Sequence, residues 1–122
     1  MLELSEQSTW NAIGLVSMTG VLWWALNFTA DLAPPHTVVF NATGGPSADI
    51  AISTSDVTGF FFVDPSTLQG ECQFTLEAVA GGGGEVQLSL FDMNWSQTGS
   101  FLGVVLGISL SYISGTGTIE YH

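Results

Sequence analysis

Neither lysine nor arginine occurs anywhere in the 122 residues, and histidine appears only as His36 and His122. Their absence removes the side chains that usually bind phosphate, nucleic acid and anionic lipid. Eleven carboxylates set a formal charge of −11 and a pI near 4.1. Cysteine is almost missing too: Cys72 stands alone, which excludes an intramolecular disulfide. It lies on the apolar parity of Cys72-Gln73-Phe74-Thr75-Leu76-Glu77-Ala78, where a buried thiol is expected. Two histidines, one of them the last residue, support neither a multi-histidine metal centre nor a Ser-His-Asp triad. No D-x-D-x-D-G spacing occurs, so Asp56 and Asp64, the loop carboxylates weighed as calcium ligands, read instead as solvated positions. The glycine run at 81–84 lacks the lysine and helix of a phosphate loop and reads as a hairpin connection. No catalytic residue, metal ligand or cofactor is assigned. The chain also has no basic n-region for a secretory leader, so export has to be read from other features.

What the chain does have is hydrophobicity, with a mean hydropathy of +0.42. Apolar content combined with charge of a single sign fits burial between subunits, work in acid where carboxylates are protonated, or both. Three asparagines open N-x-S/T sequons, Asn27-Phe28-Thr29, Asn41-Ala42-Thr43 and Asn94-Trp95-Ser96, which points to an exported, glycosylated protein.

The dominant period is two. Val86, Leu88 and Leu90 alternate with Glu85, Gln87 and Ser89. Leu102, Val104, Leu106, Ile108, Leu110 and Tyr112 form an apolar face against Gly103, Gly107, Ser109 and Ser111. Further strands are expected over 37–41, 49–53, 57–63 and 116–121, with turns at 44–46, 64–66, 81–84 and 114–115. Short strands at this spacing predict an all-β, antiparallel sandwich of jelly-roll or immunoglobulin-like type. Trp23, Trp24, Phe60, Phe61, Phe62 and Trp95 offer rings for a carbohydrate platform. Consecutive phenylalanines on a strand, however, suit a core plus an inter-subunit contact better.

Residues 10–33 are nearly all apolar. On a helix their polar residues scatter round the axis, as in a membrane span or pilin core. On a strand Asn11, Ser17, Thr19, Asn27, Thr29 and Asp31 all fall on odd positions, leaving the even set wholly apolar. Gly14 and Gly20 further disfavour a helix, at about 1 kcal/mol each relative to alanine. Fully extended, the segment would reach about 80 Å, so it must bend, split into two strands or run beyond its own domain. The last option predicts an arm, residues 1–33, whose Trp10, Val16, Met18, Leu22, Trp24, Leu26 and Phe28 complete the sheet of a neighbouring subunit. Residues 34–122 then form the sandwich.

An apolar N-terminal arm, the Pro34-Pro35 break and a small β-domain rich in Ser, Thr, Gly and sequons resemble the subunits of archaeal-type extracellular filaments. Donor-strand threads and bundling pili use the arm as a strand, whereas type IV pilin-like subunits use it as a helix. The resemblance implies a non-enzymatic, extracellular structural subunit that polymerises head-to-tail with itself and contacts glycans or cell surfaces. It implies no nucleic-acid partner, and contact with membrane only before assembly. A viral coat or decoration protein and a carbohydrate-binding adhesion module are the alternatives.

Overall fold

The structure is a computed structural model and describes residues 9–20, 24–32, 35–44, 52–79, 85–104 and 112–122. Eight strands follow in chain order: β1 (Trp10–Gly20), β2 (Trp24–Asp31), β3 (Thr37–Gly44), β4 (Ile52–Phe61), β5 (Gly70–Val79), β6 (Glu85–Phe91), β7 (Gln97–Val104) and β8 (Tyr112–Tyr121). A short 3-10 turn, Pro65–Thr67, lies between β4 and β5. The strands run round a closed barrel in the order β1-β2-β3-β8-β5-β6-β7-β4, and every pairing is antiparallel. The all-β expectation holds, but the sandwich is corrected to a closed eight-stranded barrel.

The ring is two copies of one motif. The orders 4-1-2-3 and 8-5-6-7 are both Greek keys, and they meet along β3–β8 and β4–β7.

The donor-strand arm and its pilin-like helical alternative are corrected as well. The apolar segment splits into β1 and β2, which pair with each other from Ile13–Asp31 to Gly20–Trp24. β1 also pairs with β4, and β2 with β3. Both strands therefore spend their hydrogen bonds within their own barrel. Their even parity points inward as the polar spacing requires: Ala12, Val16, Met18, Leu26, Phe28 and Ala30 are buried. Parity pointed to extended chain, but it carries no information about where the chain turns or which backbone it pairs with.

The barrel interior is packed with side chains. Phe28, Phe40, Phe61, Phe74 and Phe101 are fully buried among Met18, Leu26, Leu76, Leu88, Leu90 and Ile119. The Phe101 ring lies 4.8 Å from Phe28 and 5.1 Å from Phe61, both tilted, and Phe40 meets Phe74 edge-on at 5.6 Å. Glycines make room for these rings. A β-carbon on Gly117 would lie 2.7 Å from Phe40 Cζ, and one on Gly14 would lie 3.0 Å from Phe28 Cε1.

Glycine also inverts one expected strand face. Phe101 is buried and Leu102 and Val104 point outward, because Gly103 takes the inner parity, where a β-carbon would approach Val57 Cγ1 to 2.7 Å. The side opposite the bulkier residues is here the inside. The expected continuation through Leu106, Ile108 and Leu110 lies outside the described residues. The turn expected at 114–115 is instead part of β8, and the glycine run at 81–84 lies outside the described residues, between Val79 and Glu85, which pair.

Candidate functional site

With a packed interior, the barrel has its functional surface outside. Three regions stand out.

The first is polar. On β2 and β3, Asn27 and Asn41 are register partners, and Asn41 in turn pairs with Thr118 of β8, beside Glu71 of β5. All four side chains are exposed. Two of the sequon asparagines thus emerge side by side, about 5 Å apart at Cβ for directly opposed residues. The third, Asn94, is exposed in the β6–β7 turn. There Asp92 Oδ1 accepts hydrogen bonds from the backbone N–H groups of Asn94 (2.8 Å) and Ser96 (2.9 Å). The same turn holds Trp95 at a φ of 65° with its ring 5.2 Å from Phe91.

The second region is apolar and spans the neighbouring strands β1, β4 and β7. Ile13 is 65% exposed, Leu15 48%, Phe60 46%, Leu102 47% and Val104 60%. Register places them together: Ile13 opposes Thr58, Thr58 opposes Leu102, and Asn11 opposes Phe60. A shallow depression of about 660 Å³ runs over Ile13, Thr58, Phe60 and Leu102 to Asp31 and Leu32. Three exposed carboxylates belong to this face or its margins: Asp56 opposite Leu15, Asp31 opposite Ile13 and Glu85 opposite Val104.

The third region is a cleft of about 380 Å³ at the end of the barrel where β1 begins and β8 ends. Trp10, Asn11, Leu32, His36, Asp64 and Tyr121 line it, with Thr9 and Pro65. Backbone bonds fix each wall. Leu32 N–H donates to the His36 carbonyl at 3.0 Å, which closes the β2–β3 connection. Thr37 and His122 exchange both backbone bonds at 3.1 and 2.8 Å, and Gln69 Nε2 donates to the Tyr121 carbonyl at 3.1 Å. The His36 and Tyr121 rings stack with centroids 5.2 Å apart and planes 19° from parallel. Asp64 caps the 3-10 turn: Ser66 donates its N–H (3.0 Å) and its hydroxyl (2.8 Å) to Asp64 Oδ1. Those two bonds hold the Asp64 carboxyl below its ordinary pKa of 3.8.

Cys72 is buried, and burial pushes its thiol up to about 12, which makes it a poor nucleophile. Nearby, Thr98 Oγ1 is buried with no hydrogen-bond partner, beside a pocket of about 150 Å³ that Cys72 and Asp92 also line. Asp56 and Asp64 lie on different elements, one on β4 and one ahead of the 3-10 turn. Among the described residues no group of three or more His, Cys, Asp or Glu side chains is placed to hold a metal ion. His122 Nε2 lies 3.1 Å from Glu120 Oε1 on the surface.

Of the residues expected in inter-subunit contacts, Val16, Met18, Leu26 and Phe28 lie in the chain's own core. Trp10 is half-buried at the end cleft, Trp24 belongs to β2, and Leu22 is outside the described residues. Among the carbohydrate-platform candidates, Phe61 is buried while Phe60, Phe62 and Trp95 are exposed. Ile13 and Leu15 were missed, although a signal was present: two large apolar residues on the parity otherwise occupied by Asn11, Ser17 and Thr19.

No family model matches the chain, and no curated protein matches it in sequence. No helix among the described residues is long and apolar enough to cross a membrane. Among solved structures the barrel is similar to the virulence-associated protein VapB from the intracellular pathogen Rhodococcus equi, at a TM-score of 0.60 and 15% identity, covering 94% of this chain and 98% of that one. At that identity the likeness is one of fold.

Proposed function

We propose that this chain is a non-catalytic, exported structural protein that associates with copies of itself through the apolar outer face of β1, β4 and β7. The observation that supports this reading is the cluster of Ile13, Leu15, Phe60 and Leu102, large apolar side chains all close to half exposed or more on adjacent strands. Contiguous apolar surface of this kind marks interaction sites on soluble proteins. A second copy suits it, because a twofold contact sets the same face against itself. A basic partner would find only Asp56 among the apolar side chains, with Asp31 and Glu85 at the margins. Donor-strand exchange has no part in this mechanism, because the strands that would be donated are already paired.

Charge makes the association acid-favoured. Two copies of a −11 chain repel at neutral pH, and the twofold contact brings both Asp56 carboxylates into the interface. Sedimentation velocity at pH 7.5 and pH 4.5, at low and moderate salt, tests this. Association is expected to strengthen on acidification and with salt. Leu102→Ser should weaken it by roughly tenfold or more, given about 1.5–3 kcal/mol for a fully buried side chain of that size. Asp56→Asn should strengthen it at pH 7.5. A monomer under all conditions at millimolar concentration would overturn the proposal. Electron micrographs of the associated material separate filaments from closed shells.

A further inference from the structure

A different region of the molecule carries a second reading. The end cleft brings together aromatic rings from separate elements and a carboxylate fixed by hydrogen bonds. We propose that it binds a small alkylammonium cation, held between the ring faces of Trp10 and Tyr121 and the carboxylate of Asp64.

The volume of about 380 Å³ lies in the lower part of the range typical of small-molecule sites. Ring faces carry the negative lobe of the aromatic quadrupole and attract ammonium groups, indole most strongly. Trp10 and Tyr121 both line the cleft, and His36 stacks on Tyr121 and orients it. Asp64 supplies the counter-charge. Both hydrogen bonds from Ser66 fall on Oδ1, so the carboxylate is fixed in place and kept ionised.

Among the described residues the one side chain of the cleft able to carry positive charge is His36, whose ring is stacked on Tyr121. Lysine and arginine are absent, and the His122 ring is drawn to Glu120. The net charge of −11 raises the local concentration of cations and opposes anions. The walls are set by backbone bonds at Leu32–His36 and Thr37–His122 and by the Gln69 side-chain amide on the Tyr121 carbonyl, so the site is formed before a ligand arrives.

The test uses the full chain and nuclear magnetic resonance of the Trp10 indole and Tyr121 ring, titrated with choline, with n-butylammonium, and with the uncharged isostere in which carbon replaces the choline nitrogen. Choline, butylammonium or both should shift these resonances saturably. The tighter of the two shows whether the site prefers a quaternary or a lysine-like primary amine. The carbon isostere should bind about tenfold or more weakly, since it keeps the shape and loses the charge. Asp64→Asn, which keeps the cap, should weaken the cations by about tenfold and leave the isostere unchanged. Equal binding of choline and its isostere would overturn the proposal on the unaltered protein and identify the cleft as a neutral apolar or sugar site. So would shifts confined to residues outside the cleft, or no saturation for either cation.

Discussion

Phe101 links two strands in the interior, its ring meeting Phe28 of β2 and Phe61 of β4. Truncation to alanine removes both ring contacts and leaves a cavity that β strands locked in a ring relax poorly to fill. Phe101→Ala is therefore expected to lose about 3–5 kcal/mol of stability, read from the urea midpoint at pH 7. Cys72 predicts a pH effect whose sign follows from burial. In the fold the thiol is raised from 9.0 to about 12, so only the unfolded chain ionises it between those values. Its contribution is complete below about pH 9 and is lost as pH rises toward 12. Cys72→Ala should flatten that part of the pH–stability curve, and the native thiol should react with a thiol reagent only on unfolding.

At the scale of the element, the β6–β7 turn rests on one side chain. Asp92 Oδ1 takes two backbone N–H groups, and the Asp92 amide donates to the Ser96 carbonyl at 2.9 Å. Asp92→Ala orphans both donors and should cost about 1–2 kcal/mol in a denaturant titration, with the barrel otherwise intact. Elements were also where the sequence was most legible. The polar residues of β1 and β2 all fall on one parity, which favours extended chain over helix and marks the apolar side. The expectation for residues 10–33 is nonetheless a single arm, not two strands of the chain's own barrel. Parity failed on β7, where Gly103 holds the inner position and the bulky Leu102 and Val104 turn out to solvent, because size alone does not say which side is full. Pairing was not legible at all. The closure of β1 against β4 depends on residues far apart in the chain, such as Ala12 and Gly59, 47 positions apart, and no local pattern encodes it. The end cleft was hidden for the same reason: Trp10 of β1, His36 of the β2–β3 connection and Tyr121 of β8 meet only once the ring has closed.

For the molecule as a whole, the sandwich expectation and the barrel differ in one respect with physical weight. A sandwich leaves edge strands that must be covered or paired, and a closed barrel has none. With the ring closed, the proposed contact between copies would run through side chains rather than strand ladders. On the proposed association, charge and pH acting on Asp56, Asp31 and Glu85 are therefore the expected levers.

The two Greek keys meet along pairings that run from Val38–Tyr121 to Ala42–Gly117 and from Phe61–Gly99 to Val57–Gly103, among the described residues the shortest in the ring. These seams are the lines along which the ring would open. Native-state hydrogen exchange should find their amides unprotected before those of β1–β2 or β5–β8. Each half is a complete four-stranded key, linked to the other through residues 62–69. A ring that opened at both seams would bare two unsatisfied backbones, and the half of a second molecule is the nearest thing in shape to what each has lost. The geometry that denies this protein an edge thus also makes exchange of halves between two chains its natural failure under stress, with residues 62–69 as the hinge.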